Sequence, residues 1–266
     1  INEVDALTYL SRDPQTRVIG IHMESIEGNG REFLRLIREV SRRKHVVVLK
    51  SGRTEAGARA AASHTGVIVQ GNDRVFDAAL KQAGAIRAQT IEEFFDLTRA
   101  LERFRTLLLP GNRVAIATLP GGEAVIVTDL CQYEGLTLAR LQDQTIDKIR
   151  PIFPPWEISV NPFDLGVALQ FIDPRKVYPT LLDALVHDPN VDAVAMQVPS
   201  RAFNIPKEFF QFFPEALKAQ KPIALWVAGI PSGRLEVLEW LEEQNIPVFP
   251  NPEKVIGALA ALYRSS

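Results

Sequence analysis

Short apolar runs alternate with amphipathic segments along the whole chain. Runs such as Val46–Leu49 and Val114–Thr118 lack a polar alternation, which is typical of parallel strands that helices cover on both faces. In the segments between them, apolar residues recur about one helical turn apart, as from Phe33 to Val40. This alternation of strands and helices predicts an α/β fold with parallel sheets and right-handed crossovers.

The same pattern predicts the bounds of the main elements. Helices are expected over 3–12, 33–40, 73–82, 91–104, 123–133, 143–150 and 252–263, and strands over 17–24, 46–49, 85–88, 114–118, 191–197, 222–227 and 246–249, with another near Leu136. The turn Pro110-Gly111-Asn112 predicts a domain boundary. We therefore expect one domain over 1–109 and a second over 110–266.

An internal repeat links the two halves. Lys44–Leu49 resembles Lys221–Trp226, an offset of 177 residues between positions 44 and 221. Further on, the segment from Ala83 tracks the segment from Gln244, an offset of 161. The first half therefore carries 16 extra residues between a strand and the next helix, and such an insertion in a short connection is more often functional than accidental.

The extra residues fall in a Gly- and Ala-rich stretch, Gly52–Gly71, which contains His64. We predict that this stretch is a long excursion rather than a strand or an ordinary turn, with Ser63, Thr65 and Gly66 as loop residues around the histidine. Small residues let a backbone move or approach a ligand closely. The excursion follows the carboxyl end of a predicted strand, and open α/β sheets bind their ligands at the carboxyl ends of their strands.

Composition narrows the classes of function. The net charge of -2 indicates neither a nucleic-acid partner nor an anionic membrane surface. No apolar run has the length of a membrane span. The one cysteine excludes an internal disulfide and fits a reducing cytoplasm. The chain begins at Ile1 without an initiator Met or a signal peptide, so it is expected to be a fragment.

The remaining histidines and the cysteine have structural interpretations. His45 and His187 are expected to be structural or solvated, and His22 is expected to be a packed, hydrogen-bonded core residue. Cys131 is expected to be a core thiol. The basic triplet from Arg42 to Lys44 is expected to be a solvated helix cap.

Residues 50–66 read K-S-G-R-T-E-A-G-A-R-A-A-A-S-H-T-G, and 71–87 read G-N-D-R-V-F-D-A-A-L-K-Q-A-G-A-I-R. These two stretches resemble the phosphohistidine segment of the NDP-forming acyl-CoA synthetases, which include the ADP-forming acetyl-CoA synthetases and are relatives of succinyl-CoA synthetase. Supporting motifs are I-H-M-E-S-I-E-G at 21–28, T-L-P-G-G-E-A at 118–124, N-P-F-D-L at 161–165 and I-P-V-F-P-N-P-E at 246–253. The resemblance implies two flavodoxin-like, succinyl-CoA synthetase-like three-layer domains with parallel sheets.

The resemblance also implies roles for particular residues. His64 would accept a phosphoryl group from an acyl phosphate and pass it to a nucleotide. Glu24 matches the carboxylate that orients the imidazole. Phosphate would be bound at two helix N-termini, at Gly71 and Asn72 and at Gly121 and Gly122.

Cofactors and partners follow from the same resemblance. This segment is expected to bind no cofactor or metal itself. CoA is expected to bind to a CoA-binding domain, and ATP or ADP with Mg2+ to an ATP-grasp domain or subunit. These two domains are the expected protein partners, with further subunits in a homo- or hetero-oligomer. The expected small-molecule partner is a small carboxylic acid or its acyl-CoA. Neither a nucleic-acid nor a membrane partner is expected, and a cytoplasmic location is expected.

Departures from the family leave alternatives open. The chain has Leu119-Pro120 before the glycine pair and Glu123 after it, where the family usually has Asn-Ala and Pro, and Ser25 stands where Gly is common. One alternative is a regulatory module, acyl-CoA-sensing or acyltransferase-associated, without turnover. Another is a ligand-binding flavodoxin-like pair with a non-redox role and no flavin.

Overall fold

The structure, a computed structural model, describes residues 2–65, 72–104, 109–156, 161–200, 205–229 and 235–265, with the backbone alone at 64, 65 and 235. The chain forms two compact units. Unit 1 comprises Ile1–Glu102 with Arg264–Ser266, and unit 2 comprises Arg103–Tyr263. The domain bounds expected from the sequence, 1–109 and 110–266, stay a prediction.

Unit 1 is built on three parallel strands, β1 (Val18–Met23), β2 (His45–Lys50) and β3 (Ile86–Ala88), which lie side by side in that order. The central strand β2 is buried over its first five residues, as its apolar run predicts. Phe33 and Ile37 pack into the same core from the helix α2 (Gly30–Val40). In chain order the first eight elements are α1 (Glu3–Arg12), β1 (Val18–Met23), α2 (Gly30–Val40), β2 (His45–Lys50), α3 (Glu55–Thr65), α4 (Asp73–Gln82), β3 (Ile86–Ala88) and α5 (Ile91–Phe104).

Unit 2 has a parallel sheet in the order β5-β4-β7-β8-β9, with β6 paired to the end of β4. Counted along the chain without β6, this is the strand order 2-1-3-4-5 of flavodoxin-like folds, and the order reverses between β4 and β7. Its elements are β4 (Arg113–Thr118), α6 (Gly121–Tyr133), β5 (Thr137–Leu138), α7 (Asp143–Ile149), β6 (Phe163–Asp164), α8 (Leu165–Phe171), α9 (Pro174–His187), β7 (Ala193–Pro199), α10 (Phe212–Ala216), β8 (Ile223–Ala228), α11 (Leu235–Glu243), β9 (Val248–Phe249) and α12 (Pro252–Arg264). The predicted α/β class with parallel sheets is confirmed.

The strand register confirms the internal repeat. In unit 1, Val48 pairs with Arg87 across β2 and β3. The two offsets read from the sequence carry this pair to Leu225 and Val248, and those residues pair across β8 and β9. The two sequence offsets, 177 and 161, were read from separate segments, yet together they reproduce the pairing of two strands. The strands β1-β2-β3 and β7-β8-β9 are therefore two copies of one structural repeat.

The repeat extends to the loop that precedes each first strand. Lys44 Nζ lies 2.5 Å from the carbonyl oxygen of Asp13, and Lys221 Nζ lies 2.5 Å from that of Asp188. Lys44 also donates to the carbonyl of Leu10 at 2.7 Å. The expectation that Lys44 is a solvated cap is therefore wrong, because its ammonium group donates hydrogen bonds to backbone carbonyls at the end of α1.

The prediction that Gly52–Gly71 is a loop is wrong for Glu55–Thr65, which forms α3. Alanine has the highest helix propensity, and six of these eleven positions are Ala or Glu. The hydroxyl oxygen of Thr54 accepts the N–H of Gly57 at 3.1 Å and begins the helix. The assignment of Ser63 and Thr65 to a loop is corrected accordingly, since both lie in α3.

Candidate functional site

The histidine-bearing segment begins at the carboxyl end of β2. Gly52 has φ +68°, a left-handed conformation that favours glycine, and its repeat equivalent Gly229 has φ +88°. The chain therefore turns in the same way after both strands. Residues 51–72 then separate β2 from α4, whereas residues 229–234 separate β8 from α11.

Helix α3 carries His64 in its last turn. From Glu55 to Ser63 its described side chains are exposed or half-buried, apart from Ala61, which is 8% exposed. A helix with so few buried apolar contacts belongs to the least stable part of a fold. The side chains of His64 and Thr65, and Gly66 and Gly71 entirely, lie outside the described residues.

Ion pairs join the two ends of this insertion. On the outgoing side, Arg53 Nε lies 3.4 Å from Asp73 Oδ2, and Arg53 Nη1 donates to the carbonyl of Gln89 at 3.2 Å. Asp73 is the first residue of α4 on the returning side. Arg87 of β3, whose side chain is only 2% exposed, pairs with Asp73 Oδ1 at 2.5 Å. The base of the insertion is thus fixed to the carboxyl edge of the sheet.

The charges at this base perturb one another. Burial favours the neutral form of Asp73, but the hydrogen bonds and charges of Arg87 and Arg53 outweigh it and hold the pKa of Asp73 below its ordinary value. Burial lowers the pKa of Lys50, at the end of β2. Its Nζ lies 5.7 Å from the centre of the Phe76 ring. This edge of unit 1 is consequently rich in cations.

Asn72 caps helix α4. Its side-chain oxygen accepts the N–H of Arg74 at 2.9 Å, which confirms the predicted helix start. Because this cap uses the side-chain oxygen of Asn72, its side-chain nitrogen and the backbone N–H groups are the donors that this turn offers to a phosphate. Phosphate binding at Gly71 and Asn72 stays a prediction.

Glu24 directly follows β1 and is half-buried, at the same sheet edge as Lys50, which pairs with Met23 in the neighbouring strand. His22 is exposed, and its Nε2 lies 2.8 Å from the hydroxyl oxygen of Ser51. The expectation that His22 is packed in the core is therefore wrong, although it is hydrogen-bonded. The role of Glu24 toward His64 stays a prediction.

In unit 2, Gly121 and Gly122 are the first residues of α6, directly beyond β4 where the strand order reverses. Pro120 precedes the helix and provides no side-chain cap. No residue in the described part of the chain accepts a hydrogen bond from the N–H of either glycine. None of the described residues has an atom within 4 Å of a Cβ placed at Gly122, so they leave the space on that side of the glycine open.

Two carboxylates flank this helix start. A Cβ at Gly121 would lie 2.7 Å from Asp164 Oδ2, so any larger residue there would displace that carboxylate oxygen. The carboxylate of Glu123 accepts hydrogen bonds from the indole nitrogen of Trp226 at 3.0 Å and from the side-chain nitrogen of Gln197 at 2.5 Å. Glu123 is therefore held against the ends of β7 and β8.

Sequence reasoning missed four residues that shape these two regions: Arg87, Gln197, Trp226 and Asp164. Arg87 and Gln197 are each the one charged or amide residue of a short apolar strand, and both are buried. A buried polar side chain requires a partner, so a polar residue near the carboxyl end of an apolar strand was the signal available.

The other histidines and the cysteine take no part in these regions. His45 is buried, and its Nδ1 lies 3.4 Å from the hydroxyl of Ser265. His187 is exposed at the end of α9, with Nδ1 2.8 Å from the carbonyl of Asp183. Cys131 is buried, which raises the pKa of its thiol to about 12. The structural interpretations of these residues are confirmed.

The described residues contain neither a membrane-spanning helix nor a cluster of metal ligands. None of the described helices has the length and apolar character needed to cross a bilayer. Within the same residues, no group of three or more His, Cys, Asp or Glu side chains is arranged to hold a metal ion.

Comparison with known proteins agrees with these features. Residues 1–101 match the family model described as the succinyl-CoA ligase like flavodoxin domain. The chain is 37% identical to the alpha subunit of acetate–CoA ligase [ADP-forming] I from Pyrococcus furiosus, over all of this chain and 56% of that subunit. Along its whole length this chain is therefore similar to ADP-forming acyl-CoA synthetases, and its first 101 residues match a succinyl-CoA ligase domain.

Two further relatives show the same similarity. The 4-hydroxybutyrate–CoA ligase [ADP-forming] of Nitrosopumilus maritimus is 36% identical over all of this chain and 37% of that enzyme. A solved structure of the dinucleotide forming acetyl-coenzyme A synthetase 1 of Ca. Korarchaeum cryptofilum, in complex with phosphate and ADP, matches with a TM-score of 0.86 and 34% identity over all of this chain and 56% of that one. The chain thus spans about half the length of the alpha subunit and the solved chain that it matches.

Proposed function

We propose that this chain is the phosphohistidine-bearing part of an acid–CoA ligase (NDP-forming). The complete enzyme would interconvert acyl-CoA, phosphate and ADP with carboxylic acid, CoA and ATP. The observation that supports the proposal best is the insertion after β2. It places His64 on a thinly packed helix at the carboxyl edge of a parallel sheet, and the repeat copy in unit 2 has no counterpart to it.

Three steps make up the reaction. Phosphate attacks the thioester carbon, so that CoA leaves and an acyl phosphate forms. The neutral imidazole of His64 then attacks the phosphorus, and the carboxylate leaves. Finally, ADP takes the phosphoryl group from the phosphohistidine and becomes ATP.

The residues around the histidine have supporting roles. Glu24 would accept a hydrogen bond from the second ring nitrogen of His64 and fix its tautomer. The backbone N–H groups at Gly71 and Asn72 and at Gly121 and Gly122 would stabilise the charge on the phosphoryl group. Ser63, Thr65 and Gly66 flank the histidine, and the weak packing of α3 lets this arm move between partners.

The partners are proposals on the same basis. This segment binds no cofactor itself, and CoA and ADP or ATP with Mg2+ would be held by a CoA-binding domain and an ATP-grasp domain or subunit. The substrate is a small carboxylic acid and its CoA thioester, and the reaction is expected in the cytoplasm. The acyl group and the subunit composition are left open.

The test is phosphorylation of the complete enzyme. Full-length protein is incubated with its ATP-grasp partner, Mg2+ and radiolabelled ATP, and we expect protein-bound phosphate that is labile to acid and stable to alkali. His64→Ala should abolish this label, and His187→Ala, which removes an exposed histidine from unit 2, should retain it. A wild-type protein that takes up no such phosphate would contradict the proposal and favour an acyl-CoA sensor.

A further inference from the structure

One buried carboxamide joins two parts of the glycine-led end of α6. Gln197 lies near the carboxyl end of β7 and is 2% exposed. Its side-chain oxygen accepts the N–H of Leu119 at 2.5 Å, and its side-chain nitrogen donates to Glu123 Oε2 at 2.5 Å. The backbone from Pro120 to Gly122 is therefore held at both ends by a single side chain.

Trp226 completes this network from β8. Its indole N–H donates to the second oxygen of Glu123 at 3.0 Å, and the ring is 1% exposed. Since Gln197 and Trp226 are both buried, removing the acceptor at Glu123 would leave two buried donors unpaired, which is costly. The carboxylate of Glu123 is thus hydrogen-bonded to β7 and β8, while no described residue occupies the space beside Gly122 where a Cβ would lie.

The pattern of donors and acceptors requires an amide at position 197. The Leu119 N–H needs an acceptor, and the carboxylate of Glu123 needs a donor. A carboxamide supplies both from one side chain, whereas a carboxylate can only accept and an apolar side chain does neither. Among the described residues, Gln197 is the side chain that bridges the end of β4 and the first turn of α6.

We propose that Gln197 is a positioning residue for phosphate binding at Gly121 and Gly122. This inference rests on the function proposed above and names the side chain that sets the geometry of one of its phosphate sites. By fixing Leu119 and Glu123 together, Gln197 aims the N–H groups of the glycines and keeps the charge of Glu123 off the bound anion.

The test exchanges the two polar groups. In Gln197→Glu two carboxylates face each other, and in Glu123→Gln two amide donors face each other. The double variant Gln197→Glu with Glu123→Gln satisfies every partner again, because Glu at 197 accepts from Leu119 and from Gln at 123, whose oxygen accepts from Trp226. Gln132→Glu, an exposed position on the same helix, is the matched control.

Full-length protein labelled with 15N-glycine is titrated with inorganic phosphate. The NMR signals of the Gly121 and Gly122 amides then report the binding affinity. Each single variant should bind phosphate about tenfold more weakly, and the double variant should return to about the wild-type affinity. Gln197→Glu should also regain affinity relative to wild type as the pH falls, because its two carboxylates can then share a proton. Thermal unfolding shows whether each variant is folded.

Other outcomes would overturn the inference. If the single variants bind phosphate like wild type, the inference about Gln197 is wrong, but the proposed function is untouched. The same holds if a folded double variant binds phosphate as weakly as the single variants. A wild-type protein whose glycine amides do not respond to phosphate would remove the phosphate site itself. If Gln197→Glu does not fold, Glu123→Gln and the double variant decide the question.

Discussion

The connections after β2 and β8 start from equivalent strands and end at equivalent helices, yet only the first carries His64. Both begin with a left-handed glycine, Gly52 or Gly229. The difference between them is an insertion of 16 residues, the 22 residues of 51–72 against the six of 229–234. The two connections thus share a framework of strand and helix and differ in the insertion that carries His64.

The strands beside the two connections also differ. Arg87 in β3 occupies the register position that Val248 occupies in β9. The apolar residue stands beside the short connection. Where the connection is long, a buried arginine binds Asp73 and fixes the returning end of the chain.

The largest effect on phosphorylation is expected when the insertion after β2 is removed, so that this connection matches the one after β8. Replacing residues 53–72 with the unit 2 sequence Ile230–Gly233 should abolish histidine phosphorylation completely. The free energy of unfolding should change by only about 1–2 kcal/mol, because shortening a loop costs little and one helix cap is lost. Chemical denaturation and phosphate labelling measure the two effects. A variant that fails to fold would show that α3 is part of the core.

The next largest effect is expected at the buried arginine. Arg87→Val, which copies Val248 into unit 1, should lower the free energy of unfolding by about 3 kcal/mol because Asp73 is left without its main partner. Arg74→Val, at an exposed position of α4, is the control and should have a small effect. Urea denaturation measures both. Equal effects of the two substitutions would contradict the role of Arg87 as an anchor.

A smaller effect is expected from pH. The pKa of Asp73 is lower in the folded protein than its ordinary value of 3.8, so its ionised form adds stability above that pH and loses it as the pH falls through the folded pKa. The difference in unfolding free energy between wild type and Asp73→Asn should be constant near neutral pH and should shrink below about pH 4. A difference that grows toward acid pH would contradict this account.

The smallest effect is expected where the two repeats agree. Lys44→Met and Lys221→Met each remove an ammonium donor from equivalent backbone carbonyls and should each cost about 1–2 kcal/mol. The loss at Lys44, measured by urea denaturation, should exceed the loss at Lys221 by about 1 kcal/mol, because Lys44 makes one further hydrogen bond, to Leu10. A larger loss at Lys221 would show that the two loops are not equivalent.

Much of the fold could be predicted from the sequence because local signals agreed with it. The apolar runs predicted the strands, and the helices at 3–12, 73–82 and 91–104 were predicted with their observed bounds. The cap at Asn72 is one such signal. The repeat offsets even reproduced the register of β2 with β3, because a buried parallel strand tolerates little slippage.

The errors came from places where composition and tertiary contacts disagree with simple patterns. Gly57 and the alanines between Glu55 and Thr65 were interpreted as a flexible excursion, although alanine favours a helix and Thr54 caps it. His22 was expected in the core from its strand pattern, yet it lies on the exposed face. The bonds of Gln197 connect residues that are far apart in sequence, so no local pattern could predict its partners.

The central claim is that His64 carries the phosphoryl group, and peptide mapping tests it most directly. Trypsin cleavage after Arg59 and Arg74 releases residues 60–74, in which His64 is the one histidine. Mass spectrometry at neutral pH of enzyme labelled with its ATP-grasp partner should place one phosphate on His64, and that phosphate should disappear in acid. Phosphate on Ser63 or Thr65, stable in acid, or on a different peptide would contradict the account.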